Sequence, residues 1–132
     1  MLVAPQIQTV SGPSVSVEVQ VAGMHDLGTY SFELSWDDSV LSFDNISNGP
    51  FLGSTGRTVT CDPPIVSSNS LSFTCLTAGA EAGPDGSGVI ANLEFDVVGS
   101  GITPLILSGA KVISTQGEIT IANSNNSLVI VQ

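Results

Sequence analysis

The side chains of this chain that could do chemistry are one histidine, two cysteines and a few closely spaced carboxylates. His25 stands beside Asp26, but no sequence relation brings a Ser or Cys to the pair, so it reads as a solvated turn and not as part of a hydrolytic triad. One histidine and a cysteine pair with another use are too few ligands for zinc. Paired carboxylates that cleave glycosides must flank the sugar at about 5 to 9 Å. Asp37 and Asp38 are instead neighbours, and turn chemistry explains them, because Asp bonds its own backbone there. Asp85-Gly86 within GPDGSG lacks the alternating oxygen ligands of a calcium-binding EF-hand, and Gly53-Ser54-Thr55-Gly56 lacks the lysine of a phosphate loop. No residue is therefore assigned to catalysis or to a metal, and no cofactor is expected for the domain itself.

The cysteines can be placed. Between Thr58 and Thr77 the sequence TVTCDPPIVSSNSLSFTCLT reads as two strands around a polar turn at Ser67-Ser68-Asn69. A hairpin symmetric about Ser68 sets Cys61 opposite Cys75, Pro63 opposite Phe73 and Ile65 opposite Leu71, all on one face with the apolar side chains. A cross-strand disulfide between Cys61 and Cys75 fits this register, and such bridges persist in oxidising compartments. Two reduced, buried thiols are the alternative.

The elements that must position these groups are strands. Val15, Val17, Val19 and Val21 alternate with Ser16, Glu18 and Gln20, and Tyr30, Phe32, Leu34 and Trp36 alternate with Ser31, Glu33 and Ser35. This is the period of half-buried antiparallel strands, and no window sustains a helical period. Further strands are expected near Ile7 and at 40–46, 89–98, 102–107, 111–113, 119–121 and 128–131, besides the cysteine hairpin. With the two strands of the hairpin these are eleven segments, read as about nine strands of a sandwich with turn signals every 8 to 12 residues, the pattern of an all-β fold.

At 132 residues with no internal repeat or dividing linker, a single domain spanning residues 1–132 is expected. Lys and Arg total 2 against 12 Asp and Glu, a formal charge of -10, which repels a phosphate backbone and excludes nucleic acid as a partner. No apolar run approaches the roughly 20 residues of a spanning helix, so membrane insertion is not expected. Any export signal is expected to lie upstream or to have been removed, and the ends of the domain to lie near linkers of a larger secreted protein, at the cell surface or outside the cell.

The segment FELSWDDSVLSF, residues 32–43, resembles the aromatic-rich strand, Asp-led turn and Val-Leu strand of cohesins. GSGVIANLEFDV, residues 86–97, is similar to a strand late in the same family, and with the opening valine strand and FLGSTGR at 51–57 the resemblance spans nearly the whole chain. The resemblance implies a nine-stranded antiparallel β-sandwich with jelly-roll topology, a non-catalytic module whose flat face binds a dockerin. It places calcium on that dockerin partner and not on this domain. In many cohesins the third strand presents Asn and Asp to the dockerin at positions that fall here on Thr29 and Ser31. This departure leaves the fold inference intact and removes the inference of specificity, because short hydroxyls offer different hydrogen bonds.

Alternation gives the candidate face independently. With the aromatic side chains of the third strand inward, Thr29, Ser31, Glu33 and Ser35 point out, as do Thr60, Ser70, Ser72 and Thr74 of the hairpin. On the late strand, Asn92 with Glu94 and Asp96 points outward, and Ile90 is read as an exposed apolar residue among them that could anchor a partner. Two other functions compete. A carbohydrate-binding module needs exposed, coplanar rings, but only Phe51 is left without an inward position. A structural stalk or surface-layer module would also suit an acidic, hydroxyl-rich sandwich.

Overall fold

The computed structural model describes the backbone of residues 2–11 and 13–131 and the side chains of residues 13–126. The described residues form twelve strand segments and no helix: β1 (Leu2–Ser11), β2 (Ser14–Met24), β3 (Leu27–Ser35), β4 (Leu41–Asn48), β5 (Thr58–Cys61), β6 (Ile65–Val66), β7 (Ser70–Ala78), β8 (Gly86–Val97), β9 (Gly101–Ser114), β10 (Ile119–Ile121), β11 (Asn123–Ser124) and β12 (Ser127–Val131). They form two sheets packed as a jelly-roll sandwich. One runs β11-β1-β2-β8-β4, the other β10-β9-β3-β7-β5, with β12 added along β9 and β6 along β7. The count exceeds nine because the hairpin and the C-terminal region break into two- and three-residue pieces. One ladder, β1 with β11, is parallel.

The expected alternation builds the core. Val15, Val17, Val19 and Val21 of β2 are buried, as are Tyr30, Phe32 and Leu34 of β3, Leu71, Phe73 and Cys75 of β7, and Leu93 and Phe95 of β8. Trp36 is 5% exposed. Its ring meets Phe95 edge-on with centroids 5.0 Å apart, and Phe43 closes the group at 6.2 Å from Phe95. Such tilted pairs add to the burial of large apolar area. The indole nitrogen finds no hydrogen-bond acceptor among the described residues. The turn into β4 is held as its sequence suggested, since the Asp37 carboxylate accepts the Ser39 amide at 2.9 Å and the Ser39 hydroxyl at 2.6 Å.

Bulges in β9 and β8 change the phase of the alternation. The stretches at 102–107 and 111–113, expected as separate strands, are one strand, β9, with a bulge at Gly109 in the left-handed region at φ 60°. Thr103, Leu105 and Leu107 point inward before it, and Ala110 and Val112 after it. The β2–β8 ladder passes from Val19↔Ala91 to Gln20↔Val89, leaving Ile90 as an extra residue. Ile90 therefore turns inward beside Ala91 and is 1% exposed, which corrects the expectation that it lies on the surface.

The hairpin needs a similar correction. Cys61 pairs with Cys75 and the disulfide is formed. Beyond it Pro63 and Pro64, which have no amide hydrogen, carry the chain past β7 without a ladder. When pairing resumes the register has moved by one, so Ile65 stands opposite Ser72 and Val66 opposite Leu71. Ile65 is thus 76% exposed, not buried with the cysteines, and Pro63 has no ladder partner in Phe73.

Candidate functional site

Eight of the candidate residues come together on one surface. Across the outer face of the second sheet, Thr29, Ser31, Glu33 and Ser35 of β3 pair with Leu76, Thr74, Ser72 and Ser70 of β7, and Thr60 of β5 pairs with Leu76. On the other side the same β3 residues pair with Ile113, Lys111, Ser108 and Ile106 of β9. Burial of the alternate side chains of β3 and β7 fixes this orientation, because a slip of one residue would expose Tyr30, Phe32 and Phe73. Glu33 and Thr60 are exposed, and the hydroxyl residues between them are half-buried among their neighbours. Ser70 belongs partly to the turn, since its hydroxyl lies 2.8 Å from that of Ser67.

Two candidates do not join this surface. Ile90 is in the core, and Asn92 lies on β8, which pairs with β2 and β4 in the opposite sheet.

Sequence reasoning missed the aliphatic part of the face. Leu76, Ile106, Ile119 and Ile121 are exposed there, Ile113 is half-buried between Thr29 and Ile119, and Ile65 is added by the shifted hairpin. With Ile102 at the far end of β9, this sheet's outer face carries six of the eight exposed large hydrophobic residues among those whose side chains are described. A hydroxyl-rich centre rimmed by aliphatic side chains is a surface that a protein partner can desolvate at low cost. The outer face of the other sheet is different in kind. It presents Glu18, Glu94 and Asp96, with Asp44 exposed at a β4 bulge, and the Ser16 hydroxyl donates to Glu94 at 2.7 Å.

The aromatic side chains give no sugar platform. Of the seven, Phe43 is partly buried against the core and the other six are buried, Phe51 included at 9% exposure. The reactive candidates are spent on loops. His25, 83% exposed, approaches Asp85 at 3.2 Å and takes no hydroxyl or thiol partner among the described residues. Asp26 accepts the Thr115 hydroxyl at 2.6 Å and the Gly83 amide at 2.7 Å, and these bonds, Thr115's foremost, hold its carboxyl below the usual range. Asp85 accepts the Asp26 amide at 2.7 Å, so the acid of GPDGSG is a loop tie. Among the described residues no three His, Cys, Asp or Glu side chains are grouped to hold a metal.

Comparison with known proteins follows the same line. The family model described as Cohesin domain matches residues 3–130. A non-cellulosomal cohesin from the archaeon Archaeoglobus fulgidus superposes with a TM-score of 0.72 at 18% identity, over 99% of this chain and 88% of that one. The sixth cohesin of scaffoldin B from Acetivibrio cellulolyticus, solved in complex with a Cel5 dockerin mutant, gives 0.76 at 18% identity, over 98% and 97%. The seventh ScaB type I cohesin of Pseudobacteroides cellulosolvens gives 0.70 at 18% identity, over 99% and 91%. No curated protein sequence matches the chain.

Proposed function

The chain belongs to the cohesin family, and from that premise we propose that it is a non-catalytic module that docks a dockerin-bearing protein through the outer face of the β10-β9-β3-β7-β5 sheet. The observation that carries the reading is the sorting of surface types. Exposed isoleucines and a leucine gather around Ser31, Ser72 and Thr74 on this sheet, whereas carboxylates occupy the other. Thr29, Ser31, Glu33, Ser35, Thr60, Ser70, Ser72 and Thr74 are the polar contacts of the proposed interface. Leu76, Ile106, Ile113 and Ile119 supply its apolar area. Calcium belongs in this reading to the dockerin, whose fold depends on it.

The setting proposed is outside the cell or at its surface, as one module of a larger secreted protein. The Cys61–Cys75 disulfide supports an oxidising compartment. Sugar binding is disfavoured because ring stacking needs exposed aromatic faces, and the rings here are turned into the core.

Capture tests the proposal. The domain, immobilised, is exposed to each dockerin encoded in its source genome, with calcium or with EDTA, and in parallel to insoluble polysaccharides. Calcium-dependent retention of at least one dockerin is expected. Failure to bind any native dockerin would overturn the reading, and retention on polysaccharide would then favour a carbohydrate-binding module.

A further inference from the structure

The β9 bulge opens a hollow in the middle of the proposed interface. On β9, Ser108 faces Glu33 and Lys111 faces Ser31, so Gly109 and Ala110 share the place opposite Phe32. Gly109 adopts φ 60°, and a Cβ built there would meet nothing within 4 Å, so the space above it is open. The resulting depression, about 290 Å³, is lined by Ser31, Phe32, Glu33, Ser72, Thr74 and Gly109. Phe32 sends its ring into the core, which leaves three hydroxyls and one carboxylate as the polar lining. The one ion pair among the described residues is His25 with Asp85, so neither Glu33 nor Lys111, which stands opposite Ser31, has a charged partner among them.

We propose that this hollow is the specificity pocket of the docking face and that it receives a basic side chain of the dockerin, a lysine or arginine, against Glu33. The inference rests on the function proposed above. Glu33 is acceptor-only when ionised, and the hydroxyls of Ser31, Ser72 and Thr74 can each accept as well, so the lining suits a group rich in donors. An ammonium carries three donors and a guanidinium five, and a charge-assisted bond to a carboxylate is stronger than a neutral one. An aliphatic tip would strip water from Glu33 without replacing its hydrogen bonds, and an acidic tip would meet like charge on a domain of net charge -10. Lys111 stands beside Ser31, in the row next to Glu33, which leaves the cation slot at the Glu33 end of the hollow.

The experiment uses the dockerin retained in the calcium-dependent capture. Its Kd is measured by calorimetry at low and high NaCl against the wild-type domain, Glu33→Gln, Glu33→Lys and, as a control on the opposite sheet, Glu18→Gln. Glu33→Gln is expected to weaken binding at least tenfold and to flatten the salt dependence, with Glu18→Gln unchanged. Glu33→Lys should abolish binding, and reversal of one dockerin lysine or arginine to glutamate should restore it. Wild-type affinity and salt dependence in Glu33→Gln, or a Glu33→Lys defect that no charge reversal on the dockerin relieves, would overturn the inference while leaving dockerin binding in place. Absence of any dockerin that binds the wild-type domain would instead overturn the functional reading and this inference together.

Discussion

The Tyr30 hydroxyl donates to the carbonyl oxygen of Ile90 at 2.6 Å, joining β3 of the docking sheet to β8 of the opposite sheet through the core. The same oxygen accepts the Gly49 amide at 2.8 Å, and the phenol also lies 3.2 Å from Asn48 Oδ1 and 3.1 Å from Cys75 Sγ. The bulge that turns the Ile90 side chain inward thus also supplies a fixed point for the central strand of the proposed interface.

Removing that hydroxyl tests its contribution. Tyr30→Phe keeps the ring and leaves the Ile90 carbonyl bonded to Gly49, so the expected loss is about 1 kcal/mol in chemical denaturation. Burial also raises the Tyr30 pKa in the folded state. An acid whose folded pKa is raised loses protons first from the unfolded chain, so stability should fall as pH rises above the ordinary tyrosine value of about 10. Alkaline denaturation of wild type should be steeper than that of Tyr30→Phe. Parallel curves would contradict the linkage.

At acid pH the sign reverses. Asp26, through Thr115 and Gly83, and Asp37, through Ser39, have folded pKa values lowered from 3.8. Their stabilisation is present above that value and is lost as pH falls through the lower, folded values. Thermal melts taken from pH 6 downward should show Asp26→Asn less stable than wild type at pH 6 and the gap closing toward pH 2. A gap of constant size would show that the carboxylate charge is not what ties the loops.

The disulfide closes a loop with a sequence separation of 14. Reduction, or Cys61→Ser with Cys75→Ser, should cost about 3 kcal/mol by restoring freedom to the unfolded chain. Cys75 faces the core, and dockerin affinity of the folded variant should stay near that of wild type. Loss of affinity without loss of stability would show instead that the bridge shapes the interface.

Trp36 fills the space between Phe43 and Phe95. Its truncation to alanine should cost about 3 to 5 kcal/mol. A variant as stable as wild type would show the indole to be dispensable to the core.

What was legible in the sequence is the phase of uninterrupted strands. Tyr30 to Trp36 and Leu71 to Cys75 alternate without a break, and from them the hydroxyl half of the face and the Cys61–Cys75 pairing follow. Phase is lost at bulges. Val89, Ile90 and Ala91 are three apolar residues in succession, a break in alternation at the bulge that a strict period-2 reading passes over. In β9 the inward series 103, 105, 107 changes to 110, 112, and Ser108-Gly109 between them marks the change. Without that shift Lys111 and Ile113 have no assigned side, which is why the aliphatic rim went unread. Asn92 was misplaced for another reason, since periodicity tells which side of its own sheet a residue occupies but not which sheet a strand joins. That depends on long-range pairing of β8 with β2 and β4.

The direct test of the two-faced account is a pair of bulky charges, one per sheet, in domains shown by thermal melting to be folded. Ser31→Arg lies on the hydroxyl and isoleucine surface and Ser42→Arg on the carboxylate surface, paired with Asp96. Calorimetric titration with a cognate dockerin should show binding abolished by Ser31→Arg and retained by Ser42→Arg. The opposite result, full affinity with Ser31→Arg and loss with Ser42→Arg, would place the interface on the other sheet and contradict the account.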